Sequence, residues 1–106
     1  MNPAEVGVGP VLQATPFADA VIAAIRQDNE HVEVSDEGAY LRVLVPRICR
    51  LSRASLESLL GEEVRFPADL EVVMSSFAGH LCLTEQAATW QLASGSAIAL
   101  GEESQQ

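Results

Sequence analysis

The sequence predicts an α/β two-layer sandwich, in which a largely antiparallel sheet is covered by two short helices and the termini are flexible. Three observations carry this expectation. Apolar residues alternate with period two in several short segments and recur at helical spacing in two others. The segments follow one another as strand, helix, two or three strands, helix, then three strands. Two helices this short cannot enclose a core of their own, so they must cover a sheet. With 106 residues and 48% hydrophobic content, the chain fits one domain able to bury a working core. It divides into a flexible arm over 1–7, a folded domain over 8–93 and a disordered tail over 94–106.

Met1 to Val6 show no periodic pattern, and Gly7 and Gly9-Pro10 punctuate the entry to a first strand over Val8 to Ala14. Pro10, which lacks an amide proton, is expected to confine that strand to an edge or a strand start. Thr15-Pro16 reads as an N-cap followed by proline at the first helical position. Phe17, Val21, Ile22, Ala24 and Ile25 then form an apolar stripe that stops at Asp28-Asn29, giving a helix of about three turns. Val32 and Val34 alternate with Glu33 and Ser35, Asp36-Glu37-Gly38 supplies turn chemistry, and Ala39 to Val45 completes a hairpin. After Pro46, Arg47 to Leu51 is again extended. Ser52 is a second N-cap, Leu56, Leu59 and Leu60 form the stripe of a second helix, and Gly61 stands where a left-handed C-cap is wanted. A connector through Pro67 follows, and Thr84-Glu85-Gln86 turns the chain into a last strand over Ala87 to Leu92.

Between these lies the stretch Leu70 to Leu83. Leu70, Val72 and Met74 share one parity of an extended segment, whereas Phe77, Leu81 and Leu83 fall on the other. Strand side chains alternate, so the slip at Ser75-Ser76 predicts a bulge, kink or turn over Ser75 to Gly79. The small residues Ser75, Ser76, Ala78 and Gly79 would admit another surface close to the backbone, with Phe77 as an anchor; the plainer reading is a strand-turn-strand with Phe77 buried.

The formal charge of −9 argues against nucleic acid and anionic membranes as partners, since both favour basic surfaces. No apolar run approaches the ~20 residues of a membrane span, and the N-terminus lacks a basic region before an apolar one, which places the chain in the cytoplasm. Cys49 and Cys82 are far apart without a C-x-x-C, so a structural thiol is the expectation. All six basic residues are arginine, and Arg42, Arg47, Arg50, Arg53 and Arg65 gather mid-chain. Their planar forks suit an acidic partner, or else they are simply solvated.

No P-loop, G-x-G-x-x-G, G-x-S-x-G or H-E-x-x-H is present. His31 and His80 are distant from each other and lack a carboxylate at helical ligand spacing, and Cys82 and Ser76 have no base adjacent in sequence. No catalytic, cofactor-binding or metal-binding residue is therefore assigned. His80, next to Gly79, could donate a hydrogen bond to a partner or face solvent.

Val8-Gly9-Pro10, the helix running into Asp28-Asn29, Ala39-Tyr40-Leu41-Arg42-Val43, Ser52 through Leu60-Gly61, and Leu70-Glu71-Val72 followed by Ser75-Ser76-Phe77-Ala78-Gly79 occur in an order and spacing that resemble one family. It is that of the effector (coupling or regulatory) proteins of soluble diiron multicomponent monooxygenases. The likeness runs from Val8 to Leu92 and is greatest to the toluene, phenol and alkene monooxygenase members. It implies a protein without cofactor that binds the diiron hydroxylase over the helices carrying the iron ligands. Such a protein remodels the active-site entrance, couples electron delivery and oxygen activation to hydroxylation, and competes with the ferredoxin or reductase component. Position by position, the family's serine-rich interface stretch falls on Ser75 and Ser76, completed by Phe77, Ala78 and Gly79. Val73 stands where relatives can carry a polar amide, and the long arm of the methane enzyme's effector has no counterpart in Met1 to Gly7.

The partner-binding set expected from residues and resemblance together is Val73, Ser75, Ser76, Phe77, Ala78, Gly79, His80, Arg50 and Arg53. On this reading Phe77→Ala or Gly79→Val weakens hydroxylase binding with the fold intact, and Arg50→Ala or Arg53→Ala has a milder, salt-sensitive effect. Two other classes stay open at this level. One is a free-standing small-ligand-binding or dimerising α/β sensor domain, with Leu81 and Leu83 in a self-interface. The other is a small enzyme using His80, Cys82 or a serine.

Overall fold

The computed structural model describes residues 7–92, and in it the first strand, β1 (Gly7–Gln13), runs through the interior of a sheet. Then come α1 (Pro16–Asp28), β2 (Glu33–Asp36), β3 (Tyr40–Pro46), β4 (Ile48–Ser52), α2 (Arg53–Leu60), α3 (Ala68–Val73), β5 (Met74–Ala78), β6 (His80–Leu83) and β7 (Ala87–Gln91). The mixed class with antiparallel strands and covering helices is as expected. The strands, however, divide between two sheets, ordered β2-β3-β1-β5 and β4-β7-β6. Every pairing is antiparallel. Of the expected flexible termini, residues 1–6 and 94–106 lie outside the described residues, whereas Gly7 already opens β1.

The chain passes from β4 to β5 through α2 and α3, and it also changes sheet at two tight corners, Arg47 between β3 and β4 and Gly79 between β5 and β6. Both have positive φ, 68° and 102°. Both also meet the end of β7. The Leu92 amide donates to the Arg47 carbonyl at 3.0 Å, and a Cβ at Gly79 would stand 2.7 Å from the Gln91 carbonyl oxygen.

The two expected helices form for the expected local reasons. Thr15 Oγ1 accepts the Ala18 amide at 3.1 Å, Ser52 Oγ accepts the Ser55 amide at 3.1 Å, and Gly61 closes α2 in the left-handed conformation with φ 73°. Helix α1 buries Ala18, Val21, Ile22, Ala24 and Ile25 against α2 and β4. In α2 only Leu56 is buried, and Leu59 projects to solvent. The core closes where β1 meets β4 and β7. Leu12, Leu51, Leu56, Leu70 and Trp90 are fully buried in one core cluster, and the Trp90 indole Nε1 has no hydrogen-bond acceptor.

Two local expectations are corrected. Pro10 lies in an interior strand and is fully buried. It is tolerated because the recorded β1–β3 register passes from Val8↔Val45 to Val11↔Arg42 without engaging Gly9 or Pro10. Gly9, with φ 149°, lets the strands close there, since a Cβ would collide with the Val43 carbonyl oxygen. Second, Leu70 to Val73 is helix rather than strand. Asp69 and Glu71 fall in its first turn, where the helix dipole favours acids, and Leu70 and Val73, three apart, supply its buried side.

Asp28-Asn29 does more than end α1. Asp28 accepts the Ser52 amide at 2.8 Å and the Ser55 hydroxyl at 2.7 Å. Asn29 Nδ2 donates to the Ile25 and Arg50 carbonyls at 2.8 and 2.6 Å, and its Oδ1 accepts the Arg50 amide at 2.9 Å. One side chain thus occupies the outward backbone groups of Arg50 in β4. Asn29→Ala removes three hydrogen bonds, which leaves Arg50's groups to water, and is expected to lower unfolding free energy by about 2 kcal/mol in urea titrations.

Candidate docking surface

Strand β5 is an edge strand with only β1 beside it. Its register, Pro10↔Phe77, Val11↔Ser76, Leu12↔Met74, skips Ser75, and this bulge is the physical counterpart of the parity slip in the sequence. Ser75 Oγ donates to the Val11 carbonyl at 3.3 Å, which ties the bulge down. Ser75, Ser76, Gly79 and His80 are exposed and Ala78 is half-buried. Phe77 keeps 45% of its surface in contact with solvent, although it stands opposite Pro10 in the ladder. The small residues around it leave the strand's outer edge accessible.

Of the expected partner-binding residues, Ser75 to His80 therefore share one continuous stretch of edge. Val73 does not share it. At 7% exposure it belongs to the core, because in a helix it turns inward with Leu70, and the neighbouring Val72 turns outward to 75% exposure. Val72 is the surface residue missed by reading this segment as a strand, and the i, i+3 pair Leu70/Val73 was the signal that could have found it.

Gly79 is exposed but not free to vary. With φ 102° and with Gln91 O and Val8 Cγ1 at 2.7 and 2.8 Å from an added Cβ, it is a packing requirement of the corner. The expectation that Gly79→Val would leave the fold intact is thereby corrected.

The two arginines sit elsewhere, on β4 and α2, in the part of the fold packed against α1. Arg50 presents an exposed side chain. The Arg53 Nε already donates to Glu57 Oε2 at 3.0 Å, and the same carboxylate oxygen accepts the Val64 amide at 2.9 Å. The Val64 amide and then Arg53 hold the Glu57 carboxyl below its ordinary range. Arg53 thus ties α2 to the connector through Glu57, whereas the Arg50 side chain is exposed.

Cys49 is fully buried on β4, and burial, reinforced by the Asp28 charge, pushes its thiol up to about 12. Cys82 is exposed on β6. In the native protein, Ellman's reagent is expected to titrate Cys82 promptly and Cys49 only on unfolding. Because the folded-state value lies above the ordinary 9.0, Cys49's contribution to stability is complete below pH 9 and is lost as the pH rises toward about 12. Cys49→Ala should remove that alkaline limb from a pH series of urea midpoints. Among the described residues, no group of three or more His, Cys, Asp or Glu side chains is placed to hold a metal ion. No described helix is long and apolar enough to cross a membrane.

Fold and surface together define a class: a small antiparallel α/β domain with an accessible strand edge that carries a half-exposed phenylalanine. The chain belongs to the MmoB/DmpM family, whose model matches residues 7–91. It is 42% identical over 85 residues to the alkene monooxygenase system effector subunit of Xanthobacter autotrophicus (strain ATCC BAA-1158 / Py2), an alignment covering 78% of this chain and 83% of that relative. Chains from two structures of a phenol hydroxylase–regulatory protein complex share the fold. One has a TM-score of 0.73 at 17% identity, covering 81% of this chain and 97% of its own. The other has a TM-score of 0.68 at 19% identity, covering 81% and 96%. These relatives are effector or regulatory components rather than catalytic ones.

Proposed function

We propose that this protein is the effector subunit of a multicomponent monooxygenase and acts by binding the diiron hydroxylase through the Ser75–His80 edge. The observation that carries the reading is the 42% identity, over most of both chains, to an alkene monooxygenase effector subunit. The protein docks over the helices carrying the hydroxylase's iron ligands, with Phe77 as the buried anchor and Ser75, Ser76 and Ala78 permitting close approach. Val72 extends the apolar contact at one end and His80 offers ring nitrogens for hydrogen bonding at the other. In the cytoplasm it competes for this surface with the ferredoxin or reductase component, so electron delivery and docking alternate.

A protein that brings no reacting group can change the reaction only by binding two hydroxylase states unequally. An affinity ratio of ~100 corresponds to ~2.7 kcal/mol, enough to shift a largely closed active-site entrance toward an open one and to couple oxygen activation to substrate hydroxylation. The test is a titration of the purified protein into a matched hydroxylase, ferredoxin and reductase. Turnover and coupling are expected to rise to a plateau near stoichiometry. Turnover, coupling and product distribution that all stay flat would refute the proposal.

A further inference from the structure

We propose that the outer face of the β4-β7-β6 sheet is a second facet of the docking surface and receives a carboxylate-bearing segment of the hydroxylase, with Arg50 as the cation that binds it. The inference deepens the docking reading above and rests on it.

Each strand of this sheet turns alternate side chains inward. Cys49 and Leu51, Trp90 and Ala88, and Leu81 and Leu83 belong to the core or pack against it. The register therefore aligns two rows on the opposite face, with Ile48, Gln91 and His80 in one and Arg50, Thr89 and Cys82 in the other. His80, Gln91, Arg50 and Cys82 are exposed, and Ile48 and Thr89 are half-buried. His80 ends the Ser75–His80 edge and opens the first row, so the two surfaces are continuous across the Gly79 corner.

Charge identifies the occupant. The chain carries a formal −9, yet neither row contains an Asp or Glu, and Arg50 is their one permanent charge. Arg47, exposed at the corner before Ile48, adds a second cation at the same end. Neither arginine is in an ion pair among the described residues. Asp28 and Glu30 border the cleft beside Arg50 but are turned to other partners: Asp28 accepts from the Ser52 amide and the Ser55 hydroxyl, and Glu30 lies 3.8 Å from His31.

Arg50 is also held ready. Asn29 fixes its backbone amide and carbonyl, which uses none of the five guanidinium donors. That planar fork can take a carboxylate in two parallel hydrogen bonds, with Thr89 and Gln91 offering neutral donors nearby. The two rows span about 10 by 7 Å, the footprint of a single turn or loop.

The test measures hydroxylase binding by isothermal titration calorimetry for Arg50→Glu, Arg50→Gln and Arg42→Glu, with urea midpoints as the check on folding. Arg42 is exposed on β3 in the other sheet, so its reversal changes the total charge as much as reversal of Arg50 does. At low ionic strength Arg50→Glu is expected to weaken binding about tenfold and Arg50→Gln about threefold, with both losses shrinking toward ~0.5 M salt. Arg42→Glu should stay within about twofold of the wild type. Equal weakening by both reversals assigns the effect to total charge and overturns the inference, as does wild-type affinity in both Arg50 variants. Tighter binding by Arg50→Glu overturns it too, because the facing surface is then basic. A protein that loses affinity with Phe77→Ala but ignores Arg50 keeps its docking edge and loses only this facet.

Discussion

Phe77→Ala is expected to weaken hydroxylase binding about thirtyfold, equivalent to ~2 kcal/mol, while changing the stability of the free protein much less. The asymmetry follows from where the ring sits. It is 45% exposed on an edge strand, so truncation opens little cavity, whereas against a partner the whole ring loses water at once. Isothermal titration calorimetry against the hydroxylase, paired with urea unfolding of the free protein, separates the two roles. A fall in urea midpoint as large as that of a core truncation, with affinity retained, would make Phe77 a packing residue and remove it from the interface.

Gly79→Val should act the opposite way. The added Cβ meets the Gln91 carbonyl oxygen at 2.7 Å and Val8 Cγ1 at 2.8 Å, and the φ of 102° disfavours any side chain. Backbone strain and overpacking together cost about 2–5 kcal/mol, a large part of the stability of a domain this size. Urea unfolding is expected to show that loss directly, with binding reduced only through the smaller folded fraction. A variant of undiminished stability that fails to bind would return Gly79 to the docking surface.

The contrast between these neighbours shows what the sequence could carry. Helices α1 and α2 were legible because Thr15-Pro16, Ser52 and Gly61 act on adjacent backbone groups. The irregularity at Ser75 was legible because a bulge shifts the parity of every side chain after it. Helix α3 was not, since over Leu70 to Met74 both a period of two and a three-residue step place apolar residues plausibly. That ambiguity exchanged Val72 and Val73 between surface and core. The division into two sheets was hidden for a different reason: the β3–β4 corner is made by Arg47 with φ 68°, a conformation usually announced by glycine. At Gly79 a glycine was visible, but the sequence does not say that Val8 and Gln91 close around it. Arg53 could have been recognised as engaged, because Glu57 follows it by four residues within one helix.

Trp90 is the chain's single tryptophan, wholly enclosed, with an indole nitrogen that finds no acceptor. A chromophore in so dry a setting emits at short wavelength, and its colour changes only when water reaches the seam between β4 and β6. The molecule therefore carries its own optical gauge of integrity, one residue from the strand end that closes on the Gly79 corner.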